Sequence, residues 1–264
     1  MQVVIYDGSF EGLLTAIFEV YEYKIQDAKI CKEQEAIGSL FGQTRIVSSD
    51  KQKADRVMKK LKEKISINAI HQFYKTFLSE QRDIENVLLR YTQYVIATKK
   101  PVENNFSHPD VLMLQQISRK VHREKHRMEA FVRFQLTKDG LYYSLIQPDF
   151  NVLPLISKHF KDRYADQRWL IFDTVRKYGL YYDLNDVSEV QLNFDINQND
   201  KGQLLSIQDE KEELYQKLWQ QYFSSVNIAA RKNMKLHIMH MPKRYWKNLI
   251  EKMPAINRVS DDSQ

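Results

Sequence analysis
The chain has 264 residues, 43% of them hydrophobic and 28% charged, with a formal net charge of +6. That is the length of one large domain or two modest ones, and the composition of a soluble folded chain, not a disordered one. The single cysteine, Cys31, excludes an intramolecular disulfide and any multi-cysteine zinc or iron–sulfur site, so neither a cofactor nor a bound metal is expected. Seven glycines argue against glycine-rich phosphate loops, and no apolar run approaches the roughly eighteen residues that span a bilayer. The opening Met1–Asp7 has no basic lead and no small-residue cleavage site, so a cytoplasmic protein is expected.

In chain order, Val3–Tyr6 reads as a short buried strand and Asp7-Gly8-Ser9 as a turn, with Ser9 a good helix N-cap. Phe10, Leu13, Leu14, Ile17, Phe18 and Tyr21 then recur at helical spacing on one face. Lys29–Lys32 and Arg45–Ser48 are candidate strands, and Asp50 can cap a basic helix running to about Lys64. Residues 67–97 carry apolar residues at helical spacing, from Ile67 and Phe73 to Tyr91 and Val95. They read as two helices, or one bent helix, with a break near 79–83. The prolines and asparagines of 99–109 make a connection.

A new helix is predicted from about Asp110, with Val111, Leu114, Ile117 and Val121 on its buried face. The period then changes: Val132, Phe134 and Leu136 alternate with Arg133 and Gln135, which predicts a strand. Asp139-Gly140 is a hairpin signal, with Leu141–Ile146 as the return strand. A helix over 151–165 and a second hairpin, Trp169–Asp173 with Tyr178–Asp183, complete ββαββ, most simply an antiparallel sheet. Residues 209–223 return to helix, and 256–264 read as a frayed tail. The expected fold is mixed α+β. A helix-rich subdomain with a few short strands covers 1–98, a connection 99–109, and a sheet subdomain with basic C-terminal helices 110–255.

Charge is unevenly spread. Residues 51–64 carry seven basic and two acidic side chains, 119–127 five and one, and 225–258 eight and one. Acid gathers in 183–213, with nine acidic and two basic residues. A chain polarised in this way can turn a basic face to a polyanion, or can simply solvate its helices. The C-terminal run supplies the nucleic-acid candidates Arg231, Lys232, Lys243, Arg244, Tyr245 and Trp246, joined by Arg127. Cations neutralise phosphates and aromatic rings stack on unpaired bases, although both rings also suit a core. His122 and His126 stand at i and i+4, a spacing seen in zinc sites. The flanking Arg119, Lys120, Arg123, Lys125 and Arg127 would repel a dication. His237 and His240, three apart, could also hold two imidazoles. Asp7, Glu11, Glu124, His126 and His240 are the polar residues that would serve an enzyme if they met in one cleft.

Five segments carry a resemblance. They are Tyr6–Glu19 (YDGSFEGLLTAIFE), His126–Phe134 (HRMEAFVRF), Tyr164–Trp169 (YADQRW), Ser225–Arg231 (SVNIAAR) and His240–Trp246 (HMPKRYW). In this order they resemble a bacterial family of DNA-metabolism and DNA-repair proteins built on a domain of unknown function. The resemblance implies a gene neighbour that is a radical-SAM protein associated with DNA modification or repair. It also implies relatives in which a similar domain precedes a uracil-DNA glycosylase-like domain. It carries no catalytic residue. The expected function is a non-catalytic, DNA-associated accessory protein, with DNA and a radical-SAM protein as partners and no membrane. Two alternatives stay open: an enzyme acting on DNA by base excision or phosphodiester chemistry, and a protein-binding scaffold.

Overall fold
The computed structural model describes residues 2–33, 43–137, 140–191 and 241–249. The chain divides into two units, Met1–Arg123 and Glu124–Gln264. The predicted helix at 209–223 and the tail at 256–264 lie outside the described residues.

The first unit is built on three parallel strands, β1 (Gln2–Tyr6), β2 (Ala28–Lys32) and β3 (Gln43–Ile46), in the order β2-β1-β3. Val3, Val4, Ile5 and Tyr6 are all buried, the unbroken apolar run expected of a central parallel strand covered on both faces. Helix α1 (Phe10–Glu22) makes the crossover from β1 to β2. Ser9 caps it, its hydroxyl accepting from the Gly12 N–H at 2.8 Å, a bond worth about 1 kcal/mol over alanine. A Cβ at Gly12 would stand 2.2 Å from Asp7 Oδ1, so a larger residue there would have to displace the Asp7 carboxylate.

Four helices follow: α2 (Lys51–Lys62), α3 (Ile67–Phe77), α4 (Ile84–Ala97) and α5 (Pro109–Phe131), the last containing the division between the units. Asp50 caps α2 through the Gln52 and Lys53 amides. The break between α3 and α4 falls where the sequence places it. Glu80 and Asp83 there adopt φ of 51° and 67°, a left-handed backbone that no helix continues through. Phe10 of α1 packs on Tyr74 and Phe77 of α3, with ring centroids 4.9 and 5.1 Å apart. On α4, Asn86 accepts from the Ile30 N–H and donates to the Ile30 carbonyl, at 2.9 and 3.0 Å. Its amide thus serves the edge of β2 as a further strand would.

The second unit holds a five-stranded sheet of β4 (Gln135–Leu136), β5 (Tyr142–Ile146), β6 (Trp169–Asp173), β7 (Tyr178–Tyr182) and β8 (Val187–Gln191), in sequential order. Helix α6 (Leu153–Arg163) lies in sequence between β5 and β6. Trp169, Ile171 and Phe172 of β6 and Ile156 and Phe160 of α6 are buried. The mixed α+β class holds, but the sheet is not wholly antiparallel. β5 and β6 pair parallel, Tyr142 opposite Trp169 through Ile146 opposite Asp173, while the other pairs are antiparallel. A parallel neighbour needs a crossover, and α6 supplies it. The alternation from Val132 also begins earlier than its strand. Val132 still donates its N–H to Met128 as the last turn of α5 closes, and pairing starts at Gln135. Strand β8, within the acidic stretch, was not predicted.

Candidate functional site
The buried face of α5 runs Val111, Leu114, Ile117, Val121, Glu124 and Met128. A glutamate thus occupies a position in the apolar stripe, and its side chain is 1% exposed. A buried carboxylate needs donors for its lone pairs. Three come from within the second unit. The Asp149 N–H donates to Glu124 Oε1 at 2.9 Å. The Tyr245 hydroxyl lies 2.6 Å from both carboxylate oxygens. Arg244 Nη2 reaches Oε2 at 3.0 Å, and Arg127, one turn along α5, stands 3.5 Å from the same oxygen.

Arg244 is shared. The same nitrogen lies 2.6 Å from Asp149 Oδ2 and also donates to the Tyr245 hydroxyl. Its guanidinium sits 4.6 Å from the Tyr245 ring centre. Burial first, and then the Glu124 carboxylate, push the Tyr245 hydroxyl well above its usual value, so it stays protonated as a donor. Arg176 extends the network, donating to the Pro148 and Asp149 carbonyls and pairing with fully buried Asp173 at 2.9 Å. Asp173 ends β6 and Asp149 follows β5, so the cluster gathers loops at the carboxyl ends of the parallel pair.

Arg244 and Tyr245 belong to a short 3₁₀-helix, Lys243–Asn248. Tyr245 is 3% exposed, its ring 5.7 Å from that of Phe131. On either side of this pair, Lys243 is exposed and Trp246 half-buried. The Trp246 indole N–H donates to the Met241 carbonyl at 3.0 Å, and the Lys243 ammonium stands 5.9 Å from the indole ring centre.

Four predicted residues from two separate candidate groups therefore meet: Glu124 from the polar set, and Arg127, Arg244 and Tyr245 from the nucleic-acid set. His126 does not join them, its side chain being 83% exposed and 3.7 Å from Glu129. Arg231, Lys232, His237 and His240 lie outside the described residues. In the first unit, Asp7 and Glu11 sit at the β1–α1 junction, both exposed. Asp7 accepts from Ser49 Oγ at 2.7 Å and from the Ser9 N–H at 2.9 Å. Burial raises its carboxyl, but these bonds together prevail and hold it below the usual range. Among the described residues no group of three or more His, Cys, Asp or Glu side chains is placed to hold a metal ion. No described helix is long and apolar enough to cross a membrane.

With its lone pairs taken by Asp149, Tyr245 and Arg244, Glu124 has little capacity left to accept a proton from a bound molecule. The cluster acts as a clamp that fixes the 3₁₀-helix and the loop after β5 on α5. Sequence reasoning missed Asp149 and Arg176. The signal for Glu124 was present, as a carboxylate in register with the apolar stripe of α5.

The family model for a domain of unknown function, DUF4130, matches residues 82–251. The chain belongs to the DUF4130 family. The match covers α4 to the 3₁₀-helix, and with them every member of the Glu124 cluster. Of the five segments quoted for the resemblance, Tyr6–Glu19 lies ahead of the matched residues and the other four within them. No curated protein matches the chain.

Proposed function
We propose that this DUF4130 protein is a DNA-associated accessory protein in DNA repair or modification, acting beside a radical-SAM protein. The observation that carries the reading is the sorting of side chains on the 3₁₀-helix. Tyr245 is buried against Glu124 and Arg244, itself partly exposed, is bound to the same carboxylate, while exposed Lys243 stands next to half-buried Trp246. A cation beside an aromatic ring, on a backbone anchored from behind, suits a phosphate and an unpaired base. The ring for stacking is then Trp246, because Tyr245 is committed to the interior. The DNA-repair resemblance of five ordered segments supports the same reading. The radical-SAM chemistry belongs to the partner, since one cysteine cannot ligate its cluster.

Fluorescence-anisotropy titrations of single- and double-stranded DNA across a salt series test it. For duplex the log–log slope falls by roughly 0.9 per phosphate neutralised. The double variant Lys243→Glu, Trp246→Ala should lose about tenfold or more in single-strand affinity, with duplex affinity falling less. An unchanged variant removes the 3₁₀-helix from the interface. A wild-type protein that binds neither form at low salt overturns the DNA reading.

A further inference from the structure
Helix α5 sorts its charges by sign. Its acidic residues are Asp110 and Glu124, both buried, and half-buried Glu129, and each is paired with a cation: Arg90 at 2.7 Å, Arg244 at 3.0 Å and Lys125 of the same helix at 2.5 Å. From Leu112 to Arg123 no exposed position of the helix holds an acid or a Phe, Tyr or Trp ring; beside the cations the exposed residues are Leu112, Met113, Gln116 and His122. Arg119, Lys120 and Arg123 are exposed, and none of them has a carboxylate partner among the described residues. Some exposed cations elsewhere are paired locally: Lys60 with Glu63, just past the end of α2, at 2.9 Å, and Lys158 with Asp162 on α6 at 2.8 Å. On α5, Arg119 and Arg123 stand four apart and repel. Nothing on the helix offsets that repulsion.

We propose that this face of α5 is a second nucleic-acid contact, which grips the sugar–phosphate backbone without reading bases. The cations span five residues, about 6 Å of helix, in reach of adjacent phosphates. No Phe, Tyr or Trp lies on the face, so aromatic stacking is left to the Lys243–Trp246 surface, and the three cations match phosphate oxygens, contacts that carry no sequence information. The contact is therefore electrostatic and indifferent to sequence and strandedness, unlike the Lys243–Trp246 surface. This inference rests on the DNA-binding reading and adds a separate surface to it.

The test is the full-length triple variant Arg119→Glu, Lys120→Glu, Arg123→Glu, titrated with single- and double-stranded DNA over the same salt series. Circular dichroism confirms that the helix is intact, and the triple glutamine variant stands in if charge reversal unfolds it. The expected result is a loss of about tenfold or more for both DNA forms near 0.1 M salt, with the duplex slope shallower by roughly two to three. If wild type binds and the triple variant matches it in affinity and slope, the α5 contact is overturned while the DNA reading stands. If wild type binds neither DNA form, both fall. Poly-glutamate serves as a third probe. Binding of poly-glutamate but not DNA, lost in the triple variant, overturns the nucleic-acid assignment in favour of an acidic protein partner.

Discussion

Glu19 in the first unit and Glu124 in the second are both buried acids on helices, and the structure satisfies them differently. Glu19 holds two cations, Arg45 Nε at 2.6 Å and Lys53 Nζ at 2.9 Å, whose side chains remain 31% and 26% exposed. Those cations also lie against rings, Arg45 3.7 Å from the Tyr23 centre and Lys53 5.6 Å from that of Phe18. Glu124 is deeper. Besides two guanidiniums, Arg244 at 3.0 Å and Arg127 at 3.5 Å, it takes a neutral hydroxyl and a backbone N–H. Both carboxylates meet cations that keep part of their hydration, Arg244 being 41% exposed. The deeper one adds neutral donors, which cost less to desolvate than a further charge would.

The largest effect should come from Glu124→Ala, which strands Arg244, Tyr245 and the Asp149 amide. Breaking a buried pair from one side typically costs about 3–5 kcal/mol. Chemical denaturation should show that loss, and limited proteolysis should show the Lys243–Asn248 helix released. A variant within about 0.5 kcal/mol of wild type would mean that water or another group replaces the carboxylate.

Tyr245→Phe is milder. It keeps the ring against Phe131 and removes only the hydroxyl, so about 1–3 kcal/mol should be lost. A near-neutral result would assign the holding power of the cluster to Arg244.

Glu19→Gln should cost least, about 1 kcal/mol or below, because it keeps the side chain's shape and its cation partners are partly solvated, at 31% and 26% exposed. Its signature is in the pH dependence. Burial raises the Glu19 carboxyl, yet Arg45 and Lys53 outweigh that and hold it below the ordinary glutamate value of 4.5. A depressed folded value adds stability that is full above pH 4.5 and is lost as pH falls through that lower value. Thermal melts should place the variant below wild type at about pH 6 and bring the two together as pH falls below 4.5 through the lowered folded value. A constant gap would show that shape, not charge, explains the loss.

Much of the architecture was legible because its causes are local. Ser9 and Asp50 cap the helices that follow them, and the apolar run of β1 marks a strand covered on both faces. The parallel pairing of β5 and β6 was harder to read. Its only signal was length, since Ile146 and Trp169 are too far apart in sequence for a tight hairpin and leave room for a helical crossover. β8, Val-Ser-Glu-Val-Gln, has no residue classed as buried and lies in an acidic stretch, so its composition resembles that of a loop. The cluster was legible only in pieces. Glu124 and Tyr245 are 121 positions apart, and no spacing rule joins residues across that distance. What joins them is burial, which leaves a carboxylate in an apolar stripe to be met by whatever donor the fold brings near.

Asp149 is held at three points: its N–H by Glu124, its carbonyl by Arg176 and its carboxylate by Arg244. Loop amides ordinarily exchange their hydrogens with solvent through small local fluctuations. Here the acceptor of the amide is itself anchored to a residue far along the chain. Exposing that one hydrogen therefore requires the Glu124 clamp to open. In deuterated solvent the Asp149 amide should exchange as slowly as a core strand, making a single loop position a reporter of whether the carboxy-terminal helix is docked.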